Sequence, residues 1–127
     1  MTSDQHRIAF YADTHYASDG STEYWTPPER LDVEAILLGG DNHCTPQHLA
    51  GMIAAIRATQ RDETPIVVVP GNGDYIEQEL SESQAQTRAA VEGVPNAVFL
   101  DNETHVLPSG LRIIGSTLWS HVGDGLI

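Results

Sequence analysis

The chain has 127 residues, the size of one compact domain, and 40% are hydrophobic, which suits a buried core rather than wholesale disorder. Eighteen Asp and Glu stand against six Arg and no Lys, a formal charge of −12. Residues 1–63 carry ten acids and four Arg, and residues 64–127 eight acids and two Arg, so the charge is no acidic tail. Such a surface repels phosphate backbones and anionic membranes, which argues against direct nucleic-acid binding and favours cations or a basic partner. The longest apolar stretches, Ala35–Leu38 and Ile66–Val69, are strand-sized, and Met1–Asp4 lacks the basic start of a secretory signal. With Cys44 as the lone cysteine, a cytoplasmic protein without a membrane anchor is expected.

In chain order, Arg7–Ala12 is apolar, rich in strand formers and stops at Asp13-Thr14-His15. Residues Tyr16–Thr26 read as a loop. Thr26-Pro27-Pro28-Glu29 combines an N-cap residue with Pro at the first helical position, predicting a short helix or turn over Pro27–Glu34. Ala35–Leu38 reads as a buried strand ending at Gly39-Gly40-Asp41. After Thr45-Pro46, the spacing of Leu49, Met52, Ile53 and Ile56 predicts a helix to about Thr59. Pro65–Pro70 is another buried strand, stopping at Gly71-Asn72-Gly73-Asp74. A polar helix is expected over Ser83–Glu92, with Ala85, Ala89 and Ala90 on its weak apolar side. Three strands follow, Ala97–Leu100, Thr104–Leu107 and Leu111–Ser116, the last two joined at Pro108-Ser109-Gly110. The pattern is α/β: a layered mixed β-sheet with helices.

Three predicted strands end in ligand-type groups: Asp13 with His15, then Asp41, then Asn72. In open α/β sheets, sites gather beyond the carboxyl ends of the strands. Carboxylate, imidazole and amide oxygen together suit a borderline divalent ion such as Mn²⁺, Fe²⁺ or Zn²⁺. An Asp between two such ions can bridge them and activate water against a phosphate ester. The bland readings stay open beside this one. Asp13 and His15 also suit a capped strand end, and Gly71-Asn72-Gly73 a turn needing positive φ. Asp74, Glu77, Glu79 and Glu82 also suit a solvated face, and Cys44 a small buried residue.

Asp13-Thr14-His15, Gly40-Asp41 and Gly71-Asn72 resemble, in order, the first three motifs of the calcineurin-like metallophosphoesterases. The stretch Asn96–Ser120, NAVFLDNETHVLPSGLRIIGSTLWS, is similar to a passage of that family's small bacterial and phage members. The resemblance covers about Arg7 to Ser120 and implies the first half of the metallophosphoesterase sandwich, with residues 1–127 as one truncated domain. It implies that Asp13 and His15 hold a first metal, Asp41 bridges, and Asn72 binds a second.

The departures are specific. The family's third motif continues with a His that acts as general acid or orients the scissile phosphate, and here that position is Gly73. The second motif's further Asp is replaced by Cys44. The family's later histidines, which complete both metal sites, have no counterpart before Ile127, and His43, His105 and His121 are candidate substitutes. Metal binding in the isolated chain is therefore expected to be weak or absent.

Two functions follow as expectations. The favoured one is a catalytically impaired metallophosphoesterase-like protein that binds a basic protein partner through Asp74, Glu77, Glu79, Glu82 and Trp119. A phage-type inhibitor of a host nucleic-acid enzyme, such as a CRISPR effector, fits that mould. The alternative is a metal-dependent phosphodiesterase or phosphatase whose site is completed by dimerisation or by a missing C-terminal half. On the same resemblance, the sheet face meant for the missing half is expected to be exposed and to close by homodimerisation, with Leu118, Trp119, Val122, Leu126 and Ile127 nearby.

Overall fold

The computed structural model describes residues 5–12, 25–40, 45–71, 80–116, 121–122 and 125–126. Four short strands, β1 (Ile8–Tyr11), β2 (Ala35–Leu38), β3 (Ile66–Val68) and β4 (Ala97–Phe99), form a parallel sheet in sequence order. Helix α1 (Pro46–Thr59) connects β2 to β3, and helix α2 (Leu80–Glu92) lies between β3 and β4. Strands β5 (Glu103–Val106) and β6 (Arg112–Gly115) form a separate antiparallel hairpin, and β7 (His121–Val122) pairs with β8 (Gly125–Leu126). The α/β architecture is as expected; parallel and antiparallel strands are segregated rather than joined in one mixed sheet.

Register explains the core. Ala9, Ile36, Ile66 and Ala97 align across the sheet, as do Tyr11, Leu38, Val68 and Phe99 two residues on. Because alternate residues share a face, these eight lie on one side. They pack with Leu49, Met52, Ile53 and Ile56 of α1 and Val91 of α2. Trp25 closes the β1 end, its ring edge-on to Tyr11 at 5.6 Å between centroids.

Helix α1 starts and stops where its local chemistry dictates. The Thr45 hydroxyl accepts the His48 N–H at 3.1 Å and Pro46 follows in the first turn, so the N-terminal donors are partly satisfied. At the other end the Arg57 guanidinium donates to the carbonyls of Arg61 (2.6 Å), Thr64 (2.6 Å) and Pro95 (3.1 Å). Those bonds lash the α1–β3 turn to the segment entering β4.

The predicted helix or turn over Pro27–Glu34 has no helical structure, because its backbone groups bond elsewhere. Gln60, only 4% exposed at the end of α1, accepts the Leu31 N–H at 2.9 Å. It also donates to the carbonyls of Pro28 (3.2 Å) and Glu29 (2.9 Å), and the Glu34 N–H joins Arg7 O at 2.9 Å. One amide thus holds an extended segment that would otherwise coil. Gln60→Ala is expected to cost about 1–3 kcal/mol, since it removes a buried amide and leaves its partly buried backbone partners unmatched. Urea unfolding measures it, and an unchanged midpoint would contradict the role.

In α2 the alanine side is not the buried one. Ala85 and Ala89 are exposed, whereas Thr87 and Val91 are fully buried. Gln84 and Arg88 flank them at helical spacing and turn toward β4 and β5. Helix propensity of Ala fills solvent positions here, and the packing falls to the few residues that reach the sheet. The helix also begins at Leu80 rather than Ser83, and β5 lies one residue earlier than expected.

The second sheet face is half covered. A Cβ on Gly115 would stand 2.6 Å from both Leu100 Cβ and Val69 Cγ2, so β6 presses directly on that face. The hairpin turn, where Gly110 adopts φ +92°, reaches back to β2: the Ser109 hydroxyl donates to Glu34, whose other oxygen lies 2.6 Å from His6 Nδ1. The Ser109 bond, with His6 assisting, holds the Glu34 carboxyl below its ordinary value of 4.5. Val67 is consequently fully buried, while Phe10 on edge strand β1 remains 64% exposed. Among the described residues, the face expected to be open is thus covered by the chain's own hairpin over β3 and most exposed at Phe10 on β1.

Candidate functional site

The sheet brings the three motif-bearing segments to one edge. Tyr11, Leu38 and Val68 stand in register, and Asp13, Asp41 and Asn72 follow them by two, three and four residues. The ladder continues to that edge: Gly39 N–H donates to Tyr11 O at 2.7 Å, Val69 N–H to Leu38 O at 2.9 Å, and Leu100 N–H to Val68 O at 2.9 Å. With strands in sequence order, the sheet has no switch point at which a crevice would open by topology alone. A strand-end site here requires neighbouring loops to abut.

At β2 and β3 they do. Gly40 is buried, with φ +109°, and a Cβ built on it would lie 2.5 Å from Gly71 N and 2.7 Å from Gly71 Cα. Only glycine permits that backbone and that approach. The contact joins the residue before Asp41 to the residue before Asn72. Asp13, His15, Asp41, Asn72, Gly73 and Cys44 themselves lie outside the described residues, as do His43, Asp74, Glu77, Glu79, Leu118 and Trp119. Among the described residues no group of three His, Cys, Asp or Glu is arranged to hold a metal.

Glu82 is described: it is exposed in the first turn of α2, and its Oε1 accepts from Gln86 Nε2 at 3.4 Å. His105 sits on β5 opposite Ile113, partly buried in the hairpin and not on the parallel sheet.

The fourth strand end is occupied by structural bonds. Asp101 Oδ2 accepts from Gln84 Nε2 at 2.9 Å, and its N–H donates to Glu103 Oε1 at 3.2 Å. Arg88 donates to Glu103 and stacks over Phe99, 4.7 Å from the ring centroid. The hydrogen bond from Arg88 holds the Glu103 carboxyl below 4.5, and Glu103 raises Arg88 in turn. Asn102, at φ +54°, accepts the Ser116 hydroxyl at 2.6 Å and closes the mouth of the hairpin. The Leu100-Asp101-Asn102 and Gly115-Ser116 parts of the passage therefore build the hairpin and its seat.

One residue of the edge escaped the sequence reading. His48 lies in the first turn of α1, just beyond the Gly39–Thr45 connection from β2, and its buried Nδ1 has no hydrogen-bond partner among the described residues. Its flanking apolar periodicity concealed it, because a histidine beside Leu49 reads as a helix-flank residue. No protein-family model and no curated protein matches the chain.

Proposed function

We propose that the chain is a metallophosphoesterase-type domain that binds a divalent metal at most weakly at its strand ends, hydrolyses phosphate esters poorly, and acts by binding a basic protein partner. The Gly40–Gly71 junction supports this reading, because it brings together two glycines that each precede a ligand-type residue, at the ends of neighbouring parallel strands. That close approach supports convergence of Asp41 with Asn72. Asp13 and His15 follow the adjacent strand. Carboxylate, imidazole and amide oxygen fit a borderline divalent ion, with Asp41 in the bridging role. When bound, that ion would supply Lewis-acid stabilisation of a phosphoryl oxygen. Gly73 offers no proton and no hydrogen bond to a leaving group, which removes a contribution of about 10²–10⁴ in rate.

The acidic surface supports the partner. At −12, with its acids spread over both halves, the chain attracts a basic protein face and repels a nucleic-acid backbone. Among the described residues no helix is long and apolar enough to cross a membrane. The second reading, a working phosphodiesterase or phosphatase, is favoured by the same junction, since a binding role alone does not require the two loops to meet.

Hydrolysis separates the two. With Mn²⁺ and bis(p-nitrophenyl) phosphate, the purified chain is expected to release nitrophenolate no faster than the metal alone. Turnover that Asp41→Asn abolishes would establish the enzyme reading instead.

A further inference from the structure

We infer that a second copy of this chain pairs along the lateral edge of β1, antiparallel and across a twofold axis, so that two four-stranded sheets join into one. β1 is an outer strand of the parallel sheet, with β2 on one side only. Its bonds to β2 alternate: Arg7 O accepts from the Glu34 N–H at 2.9 Å, and Tyr11 O from the Gly39 N–H at 2.7 Å. Backbone groups of every second residue point the same way, so those of Ile8 and Phe10 point outward. Among the described residues these outward groups have no partner.

An open edge is normally blunted by Pro, Lys, a bulge or an inward charge. β1 reads Ile8-Ala9-Phe10-Tyr11 with unbroken register to β2, and it carries none of these. It carries an exposed aromatic ring instead, at Phe10. That ring rests over Gly39, where an added Cβ would meet it at 2.5 and 2.9 Å, and the contact holds it at the edge.

Charge selects the occupant. Gln5–Ala12 holds no Asp or Glu in a chain of net charge −12, and its one formal charge is Arg7. Asp32, on the segment entering β2, lies 3.8 Å from Arg7 and is balanced by it. A basic partner therefore finds no carboxylate on this strand, and a second copy meets no opposing one. Antiparallel pairing with Ala9 on the twofold axis sets Ile8 of each copy opposite Phe10 of the other. Each such pair exchanges two backbone bonds and packs an aromatic against a β-branched side chain, a favourable cross-strand combination. Arg7 falls opposite Tyr11, so like charges do not face each other. The two motif-bearing edges lie at opposite ends of the joined sheet, so this pairing does not merge them into one site.

Sedimentation equilibrium of the full chain is expected to show a dimer. Phe10→Lys and Phe10→Glu place opposite charges at an exposed position, and each is expected to raise the dimer dissociation constant about tenfold or more with the circular dichroism unchanged. Amide hydrogen exchange reads the pairing itself: the Ile8 and Phe10 amides of the parent are expected to exchange about tenfold or more slowly than those of the Phe10→Lys monomer. Ile114→Glu is the control, since Ile114 is 78% exposed on the outer face of the hairpin, and it is expected to leave the dimer intact. A parent chain that stays monomeric at about 1 mM overturns the inference. So does a dimer whose Ile8 and Phe10 amides exchange as fast as in the monomer. A dimer lost in Ile114→Glu and kept in Phe10→Lys overturns it as well, and places the contact on the hairpin.

Discussion

Gly40→Ala is expected to destabilise the protein by about 2–5 kcal/mol, combining backbone strain with overpacking. The new Cβ would meet Gly71 backbone atoms at 2.5 and 2.7 Å, and neither can move without displacing the end of β3. The φ of +109° adds a conformational cost for any L side chain. Gly51→Ala is the matched control. Gly51 sits exposed within α1 with nothing within 4 Å of its added Cβ, so alanine is expected to stabilise by about 0.5–1 kcal/mol. Urea unfolding of both variants measures the contrast. Equal tolerance at the two positions would mean that the β2 and β3 loops do not abut, and the strand-end site would lose its geometric basis.

Gly73→His is expected to raise Mn²⁺-dependent phosphodiester hydrolysis by about 10²-fold over the parent chain. On the proposed reading, Asp13, His15, Asp41 and Asn72 keep the ligand-type residues of the motifs, whereas Gly73 lacks the side chain that would serve the leaving oxygen. Restoring an imidazole beside Asn72 supplies that group. The rise is expected to vanish when Asp41→Asn is added. An unchanged rate, with metal still bound, would place the defect elsewhere than Gly73.

The elements with strong local signals were legible in the sequence. Helix α1 announced itself through Thr45-Pro46 and the Leu49–Ile56 periodicity, and the continuous apolar runs of β2 and β3 marked strands buried on both faces. The Pro27–Glu34 segment misled because its helix signal is local, whereas the Gln60 amide that overrides it comes from about thirty residues away. Helix α2 misled for a related reason. Its buried side, Thr87 and Val91 with Gln84 and Arg88, is half polar, and an apolar pattern cannot reveal it.

At the site, the order of Asp13, Asp41 and Asn72 after their strands was legible, and the parallel register brings those strand ends together. The reason for the glycines was not. Gly40 and Gly71 look like turn residues in a sequence, and only the fold shows that they touch. His48 was hidden for the same reason, since a buried nitrogen without a partner among the described residues is a property of the packed chain. At the fourth strand end, the polar pair Asp101-Asn102 is held by Gln84 and Ser116.

Titration calorimetry of Mn²⁺ into the full chain tests the proposed metal site. Weak but saturable binding is predicted, weakened further by about tenfold or more in Asp41→Asn while the unfolding midpoint stays unchanged. Absence of binding heat, or an Asp41→Asn isotherm that superimposes on the parent's, would contradict it.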